Sequence, residues 1–448
     1  MKKFVKYLIA ALLIILIYVA YLEYPRLNII TGFASKNMTS VIFLGHRSKE
    51  SVEKGENGFS PINAARYQVD QVNRKVTATI YGLNKRTAVY FEGLGAILIN
   101  KDFDENEPRL VPNRNRTPLE LPYPYGYLGQ KDTVFGEVDY QKLTLAVSNA
   151  FDEPGEQLQK TRSVLVVYKD QIIAEQYADG FDSTSLMHGW SMAKSITGTV
   201  YGRLERLGKI DINKTTGLTE WEHDARKDIT YSNLLQMNSG LAWEEDYFKI
   251  SDVTKMLYLE SNMGHSQIDK PLVGTPGKSW NYSSGTTNLL AGPLMRSQFS
   301  NYQDYLDFWY TELLDKIGMH SALVETDIAG NYVGSSYAWA TTRDWAKLGL
   351  LYMHKGNWNG EQVLDSTWIN YTSKPTNTSE GTYGAHFYLN AEGYFPNVPR
   401  DLFYCSGFQG QFVFIIPSRG LTIVRMGLKG EQDFDIDRFL KQVIASVN

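Results

Sequence analysis

Apolar and small residues recur at helical spacing in residues 188–213, which read HGWSMAKSITGTVYGRLERLGKIDIN. Ile196 and Val200 fall on one face, because residues four apart lie above one another along a helix. Gly208 follows the last apolar position, and glycine is common just beyond a helix end. The pattern predicts a helix that begins near Ser191 and ends before Gly208.

The remaining pattern predicts strands at both ends of a domain, with helices between them. Apolar runs at 163–168 and 171–177 flank the pair Lys169-Asp170, as in a β-hairpin. Two more strand-like runs, at 412–417 and 421–427, precede a C-terminal helix. This order predicts an α+β domain whose N- and C-terminal strands share one sheet.

Residues 1–24 read MKKFVKYLIAALLIILIYVAYLEY and have the pattern of a targeting segment. Three lysines precede an uncharged run at 7–22, and with its flank the segment at 4–22 approaches the length of a membrane-spanning helix, about 17–25 residues. We interpret it as an uncleaved signal anchor, with a cleaved signal peptide as the alternative. The basic flank would stay in the cytoplasm, so we expect a single-pass protein of the cytoplasmic membrane with its catalytic domain outside.

Residues 25–150 differ from the rest of the chain. Strand-like runs lie between 76 and 98, and residues 100–133 are dense in proline, asparagine, tyrosine and charge, which predicts a long irregular loop. We therefore predict three parts: the membrane segment at 1–24, a β-rich N-terminal extension of unknown role at 25–150, and a main domain at 151–448.

Net charge, histidine spacing and cysteine content indicate which binding partners to expect. The 448 residues have a net charge of −4 and no long basic run, so nucleic acid is not an expected partner. The seven histidines are scattered and the single cysteine, Cys405, has no ligand pattern beside it, so no metal and no cofactor is expected. A thiol nucleophile is conceivable, but a lone cysteine is most often a small buried hydrophobe.

The chemistry-bearing feature of the predicted helix is its first turn. Ser191 and Lys194 are three residues apart, so they lie on one helix face and are close enough to share a proton. A serine hydroxyl becomes a nucleophile when a neighbouring base takes its proton, and a desolvated lysine is such a base. S-x-x-K alone is weak evidence, because serine and lysine are both common in helices.

Two later segments strengthen the motif. Tyr282-Ser283-Ser284 follows a Pro-Gly turn, and a tyrosine phenol beside a lysine is able to move protons between nucleophile and leaving group. Residues 405–411 read CSGFQGQ and enter a strand, where Gly407 would allow close approach of a substrate. The backbone N–H of Phe408, together with that of Ser191, would form an oxyanion hole.

The order S-x-x-K, Y-x-N-like and (K/H)-(T/S)-G-like resembles the serine β-lactamase and penicillin-binding protein superfamily. The class C-like branch, with its esterases and 6-aminohexanoate-dimer hydrolases, is the most similar. The resemblance covers residues 152–448 and implies an α/β sandwich in which an antiparallel sheet is flanked by helices, plus an all-helical part. It also implies site roles, with Ser191 as the acylated nucleophile, Lys194 as its base, Tyr282 as the proton shuttle, the N–H groups of Ser191 and Phe408 as the oxyanion hole, and Ser284, Ser406 and Gly407 as substrate-binding residues.

Two positions depart from the family pattern. Ser284 stands where asparagine is common, and Cys405 stands where a lysine or histidine usually helps to bind a substrate carboxylate. These departures favour a serine hydrolase acting on a small-molecule or peptide-like amide or ester over one acting on ordinary β-lactams. The alternative is a catalytically weak or silent, membrane-anchored peptidoglycan binder.

An α/β-hydrolase is a further alternative, because Gly189 to Ala193 (GWSMA) nearly matches G-x-S-x-G. That motif needs an apolar strand directly before the serine and a glycine at its last position. The preceding residues are DSTSLMH, and Ala193 replaces the glycine. The sequence therefore does not favour this fold.

Overall fold

The computed structural model describes residues 2–130, 133–155, 157–430 and 433–448. Its helices are α1 (Lys2–Phe43), α2 (Lys49–Lys54), α3 (Tyr140–Ser148), α4 (Met192–Arg206), α5 (Tyr231–Leu235), α6 (Asp252–Leu259), α7 (Ser284–Leu289), α8 (Tyr302–Trp309), α9 (Thr342–Met353), α10 (Ser366–Thr372) and α11 (Ile436–Ile444). Its strands are β1 (Arg66–Asp70), β2 (Lys75–Ile80), β3 (Asn84–Phe91), β4 (Gly95–Leu98), β5 (Thr161–Tyr168), β6 (Gln171–Tyr177), β7 (Leu186–His188), β8 (Leu323–Val324), β9 (Ala338–Thr341), β10 (Asn357–Trp358), β11 (Glu361–Gln362), β12 (Tyr388–Leu389), β13 (Phe403–Gly407), β14 (Gln411–Ile416) and β15 (Leu421–Gly427).

The chain forms two compact units. The first contains residues 1–91, 96–105 and 244–261, and the second contains residues 92–95, 106–243 and 262–448. The predicted boundaries at residues 24/25 and 150/151 stay predictions. Every candidate catalytic residue belongs to the second unit.

In the first unit, α1 packs on the sheet β1-β2-β3-β4, chiefly against β2 and β3. The helix continues through Pro25, and its residues 29–41 are buried, with polar side chains such as Thr31 and Ser35 among the apolar ones. The large apolar side chains described before Pro25 are exposed. Within the described chain, no helix combines the length and the apolar character needed to cross a membrane, so the anchor predicted at residues 4–22 lacks structural support.

A mixed fold of helices around antiparallel sheet confirms the predicted α+β class. Within the described residues, the large sheet of the second unit has the order β12-β13-β14-β15-β5-β6, with every neighbouring pair antiparallel. The C-terminal strand β15 pairs with the early strand β5, so the two ends of the domain share this sheet as predicted. The predicted hairpin joins β5 to β6, and both of its turn residues have positive φ, 46° at Lys169 and 65° at Asp170.

Both faces of this sheet are buried, because successive side chains of a strand point to opposite faces. In β5, Leu165 and Val167 join the hydrophobic cluster that includes α4 and α9, whereas Val164 and Val166 join the cluster that includes α3 and α11. The sheet is therefore the middle layer of a three-layer arrangement. Its α4 side carries the candidate site.

Candidate active site

Ser191 lies at the N-terminus of α4, where the chain leaves β7. It is the residue just before the first helical turn and has helical backbone angles, φ −64° and ψ −8°. Lys194 follows one turn later, and its Nζ lies 3.1 Å from Ser191 Oγ. Ser191 is half-buried, whereas Lys194 is only 2 % exposed. The helical spacing thus brings the two side chains into hydrogen-bond contact.

The two residues before Ser191 set its position. A Cβ on Gly189 would lie 2.3 Å from Trp345 Cζ2, so only glycine fits there. Trp190 has a left-handed backbone, φ 48°, and its buried ring packs 4.1 Å from His188 and 5.4 Å from Phe408, measured between ring centroids. Strain of this kind persists where surrounding packing imposes it. The aromatic packing therefore fixes how the chain enters the helix.

Lys194 has two further oxygen neighbours. Its Nζ lies 2.9 Å from Ser284 Oγ and 3.0 Å from the carbonyl oxygen of Ser335. The Ser335 N–H in turn donates to Asn288 Oδ1 at 3.0 Å, which holds that loop in place. As an ammonium group, Nζ has three N–H donors for these three oxygens, and after loss of one proton it keeps two donors and gains a lone pair for the Ser191 O–H. The geometry suits a lysine that receives the serine proton.

Tyr282 stands over the same ammonium group, with its ring centroid 4.7 Å from Lys194 Nζ. It comes two residues before α7, and the helix is capped by Ser283, whose Oγ accepts the Thr286 N–H at 2.9 Å. Ser283 Oγ also donates to Gln267 Oε1 at 3.1 Å. This anchored cap fixes the residue before α7 and so keeps the phenol beside Lys194.

The third predicted segment ends β13. Ser406 and Gly407 are the last two residues of this strand. A Cβ on Gly407 would lie 2.1 Å from the carbonyl oxygen of Gly189, so the two backbones meet directly. Phe408 follows, and its ring packs on Trp190. The strand end therefore lies against the entry to α4, where the oxyanion-hole hypothesis requires it.

The turn that carries Phe408 is held by two long side chains. Gln411 Nε2 donates to the carbonyl oxygens of Phe408 at 3.1 Å and Gly427 at 2.6 Å. Arg425 is fully buried, and its guanidinium donates to the Gly410 carbonyl at 2.8 Å. Burial lowers the pKa of Arg425 to about 9. The turn is thus tied to the neighbouring strand rather than free to swing.

Cys405 also lies in β13 and is 1 % exposed. Burial raises the pKa of its thiol to about 12, so the thiolate is not formed near neutral pH. Among the described residues, no group of histidine, cysteine, aspartate and glutamate side chains is arranged to hold a metal ion. Cys405 therefore packs as the small buried residue that we expected.

His386 was not identified from the sequence, although it lies close to the site. Its ring Nε2 is 3.0 Å from Thr287 Oγ1, and the ring lies against Gly198 of α4. Burial, reinforced by the charge of Lys194, lowers the pKa of His386 to about 3. The imidazole is therefore neutral. Ser335, which contacts Lys194, and Asn288, which holds Ser335, were also missed, because only folding brings them there and they lack a local motif.

The structure thus brings the predicted residues into one place. Ser284 is fully buried with its hydroxyl on Lys194, and its predicted substrate contact stays a prediction. The predicted residues form two groups, one in mutual contact around Lys194 (Ser191, Lys194, Tyr282 and Ser284) and one at the adjoining strand end (Ser406, Gly407 and Phe408).

Comparison with known proteins identifies the family. The family model described as Beta-lactamase matches residues 151–445. The chain belongs to the beta-lactamase family. This membership makes it an enzyme of the serine hydrolase type. No curated protein sequence matches this beta-lactamase-family chain significantly.

Solved structures with the same fold include several kinds of hydrolase. A protein assigned as a 6-aminohexanoate-dimer hydrolase from Bacillus anthracis is 23% identical, with a TM-score of 0.52 over 60% of this chain and 74% of its own. A family VIII carboxylesterase is 16% identical, with a TM-score of 0.54 over 70% and 98%. A penicillin-binding protein homologue from Caulobacter crescentus is 14% identical, with a TM-score of 0.54 over 68% and 97%. At these identities the likeness shows the fold.

Proposed function

We propose that this enzyme hydrolyses a carboxylic ester or amide through an acyl-enzyme formed on Ser191. The observation that carries the proposal is the contact of Lys194 Nζ with Ser191 Oγ at 3.1 Å, beside the ring of Tyr282 at 4.7 Å. A nucleophile, a base within hydrogen-bond reach and a second proton carrier are the parts that covalent acyl transfer needs. Lys194 acts as the base and Tyr282 as the proton shuttle.

The proton balance of the first half-reaction follows from these contacts. The Ser191 O–H gives its proton to Lys194 Nζ while Oγ forms a bond to the substrate carbonyl carbon. The oxygen that gains negative charge accepts hydrogen bonds from the backbone N–H groups of Ser191 and Phe408. The bond to the leaving alcohol or amine then breaks, and Tyr282 delivers the proton that returns from Lys194. The acyl group remains on Ser191.

The second half-reaction repeats these steps with water. Water gives a proton through Tyr282 to Lys194 and attacks the acyl carbon, and Ser191 Oγ leaves and regains a proton. The product is a carboxylic acid and the free enzyme. The N-terminus of α4 also favours negative charge near Ser191 because of the helix dipole.

Cys405 supports an ester or amide substrate over a common β-lactam. Its buried neutral thiol occupies the position where the family pattern has a cation for a substrate carboxylate. The structural likeness to a family VIII carboxylesterase and to a protein assigned as a 6-aminohexanoate-dimer hydrolase supports the same substrate classes.

A two-probe experiment tests the proposal. A fluorophosphonate, which reacts with activated serines, should label the wild-type chain and not Ser191→Ala, while the exposed-serine control Ser300→Ala should be labelled normally. Fluorescent penicillin should label more weakly than the fluorophosphonate. Ester or amide turnover by the wild type should disappear in Ser191→Ala. If neither probe reacts at Ser191 and no substrate is turned over, the hydrolase proposal is wrong and the silent peptidoglycan binder is favoured.

We also propose that the catalytic unit acts outside the cytoplasmic membrane. The support is the lysine-rich start of the chain and the apolar run at 7–22. In cells whose cytoplasmic membrane is intact but whose outer layers have been made permeable, added protease should digest the catalytic unit. A cytoplasmic control protein should survive. Protection of both proteins would contradict the proposed location.

A further inference from the structure

Beside Lys194, four aromatic side chains form a continuous cluster, here called the aromatic cluster: Trp280, Tyr282, Tyr383 and Tyr388. The ring centroids of Trp280 and Tyr383 are 5.3 Å apart, and those of Tyr383 and Tyr388 are 5.1 Å apart. Tyr282 lies 6.1 Å from Tyr383 and 6.0 Å from Tyr388. Each distance is within the range of direct ring contact.

One ring of the cluster is buried, and the other three are partly exposed. Tyr383 is 1 % exposed, whereas Trp280, Tyr282 and Tyr388 are only partly buried. The rings of Tyr282 and Tyr388 both meet Tyr383 edge-on, at interplanar angles of 87° and 88°. Tyr282 and Tyr388 therefore both pack edge-on against the buried ring of Tyr383. Part of their aromatic surface remains exposed next to the phenol of Tyr282.

Strand β13, which ends in Ser406 and Gly407, holds one side of the cluster in place. Tyr388 lies in β12 and pairs with Tyr404 of β13, with ring centroids 5.5 Å apart. Tyr404 precedes Ser406 and Gly407 by only two or three residues. Tyr388 thus lies on a strand paired with β13, the strand that ends in the candidate oxyanion turn, so the sheet sets the position of this ring relative to that turn.

We propose that the aromatic cluster is the leaving-group pocket, and that it selects esters or amides whose alcohol or amine carries a flat, uncharged ring. The inference rests on the proposed function. Tyr282 delivers the proton to the departing oxygen or nitrogen, so that atom lies against the phenol and the rest of the leaving group faces Trp280 and Tyr388. A ring on the leaving group gains aromatic contact there, and a methyl group does not.

Two isomeric esters test the assignment of the ring to the leaving-group side. Benzyl acetate carries its ring on the alcohol, and methyl phenylacetate carries its ring on the acyl group. The two alcohols have similar acidity, so leaving-group chemistry does not separate the substrates. An aromatic contact contributes about 0.5–1.5 kcal/mol, so we expect kcat/KM for benzyl acetate to exceed that for methyl phenylacetate by roughly two- to tenfold.

Substitutions in the cluster should change this ratio. Tyr388→Ala removes a ring of the pocket and should bring the ratio close to one, whereas Tyr388→Phe keeps the ring and should keep the ratio. Tyr127→Ala is the matched control, because Tyr127 is 60% exposed and lies outside the cluster. If Tyr388→Ala does not fold, Trp280→Leu makes the same test from the other side of Tyr282.

The outcomes separate the two proposals. If both esters are hydrolysed through Ser191 but the ratio is one or lower, or is unchanged in folded Tyr388→Ala and Trp280→Leu, the leaving-group pocket is wrong and the hydrolase stands. If neither ester is hydrolysed and Ser191 takes no fluorophosphonate, the proposed function fails and the pocket fails with it. A ratio of roughly two to ten that falls in Tyr388→Ala and persists in Tyr388→Phe supports the pocket.

Discussion

Individual side chains enclose Lys194, the proposed base. The amine is enclosed by Ser191, Ser284 and the Ser335 carbonyl, and it is almost completely removed from water. His386 contributes by remaining neutral, since a charged imidazole there would add a second buried cation near Lys194.

The neutral state of His386 predicts a loss of stability in acid. Its pKa is about 3 in the folded chain and 6.5 as the ordinary value, so unfolded chains bind a proton below pH 6.5 that folded chains do not. The contribution of His386 is therefore complete above pH 6.5 and is lost as the pH falls towards 3, by about 1.4 kcal/mol per pH unit.

The variant His386→Asn tests this residue. Asparagine tolerates the left-handed backbone at this position, φ 59°, and does not titrate. In urea unfolding between pH 6.5 and pH 4.5, we expect the free energy of unfolding to fall less steeply for the variant than for the wild type. Parallel curves would show that His386 is not the group that titrates.

The candidate catalytic side chains were the part of the site most accessible to sequence reasoning. Ser191 and Lys194 lie one helical turn apart, so their contact follows from helix geometry alone. Tyr282 required a second motif. Ser335 and His386 approach Lys194 from loops more than a hundred residues away, and their roles depend on tertiary packing that no local pattern encodes.

Among the structural elements, the end of β13 leaves the least room for a side chain. Gly407 touches the Gly189 carbonyl, so any side chain there must push the strand away from the entry to α4. The pairing pattern of β5, β6 and β15 could be predicted from apolar runs and turn residues. The close approach of Gly407 to Gly189 could not, because it is set by how helix and sheet dock.

The variant Gly407→Ala tests this contact. A displacement of about 1 Å between the strand end and Ser191 would misplace the Phe408 N–H, and misplacements of that size lower kcat by about 10²-fold. Gly136→Ala is the matched control, since a Cβ at Gly136 meets no heavy atom within 4 Å. Equal kcat values for the two folded variants would contradict the proposed role of this strand end.

The first helix illustrates where sequence reasoning about an element was incomplete. The pattern of residues 1–24 predicted a membrane segment that stops before Pro25, whereas α1 continues to Phe43. Its second half is buried against β2 and β3 and mixes apolar with polar side chains. That continuation depends on contacts with the sheet of the first unit, which the local apolar pattern does not indicate.

On the scale of the whole second unit, one buried cation joins distant parts of the chain. Arg425 donates to the carbonyl oxygens of Gln159, Gly410 and Lys429 at 2.8–2.9 Å and to Thr161 Oγ1. It therefore joins the start of β5, the turn before β14 and the segment after β15. These links explain how the N- and C-terminal strands remain in register beside the site.

Replacement of this cation should destabilise the unit. Arg425→Met leaves several buried oxygen acceptors without donors, and we expect a loss of roughly 3 kcal/mol in the free energy of unfolding. The matched control is Arg206→Met, because Arg206 pairs with Asp365 at 2.8 Å on the surface, and we expect a change of less than about 1 kcal/mol. Equal losses in chemical denaturation would show that Arg425 is not a structural link.

The α+β class was predictable because strand-like runs and helical spacing appear locally in the apolar pattern, and the sandwich arrangement was implied by the resemblance of the motifs to a known family. The two-unit organisation and the enclosure of Lys194 were not, because they arise from contacts between segments far apart in sequence. Together these levels lead to one chemical claim, the acylation of Ser191 with Lys194 as its base.

Mass spectrometry of the trapped acyl-enzyme tests that claim most directly. The enzyme is mixed with p-nitrophenyl acetate, quenched in acid within seconds and digested, and each peptide is examined for an added acetyl group. We predict acetyl on Ser191 in the wild type, none on Ser191→Ala, and a rate of acetylation lower by about 10²–10⁴-fold in Lys194→Met, with normal acetylation in the exposed-lysine control Lys209→Met. Acetyl on another residue, or undiminished acetylation in Lys194→Met, would contradict it.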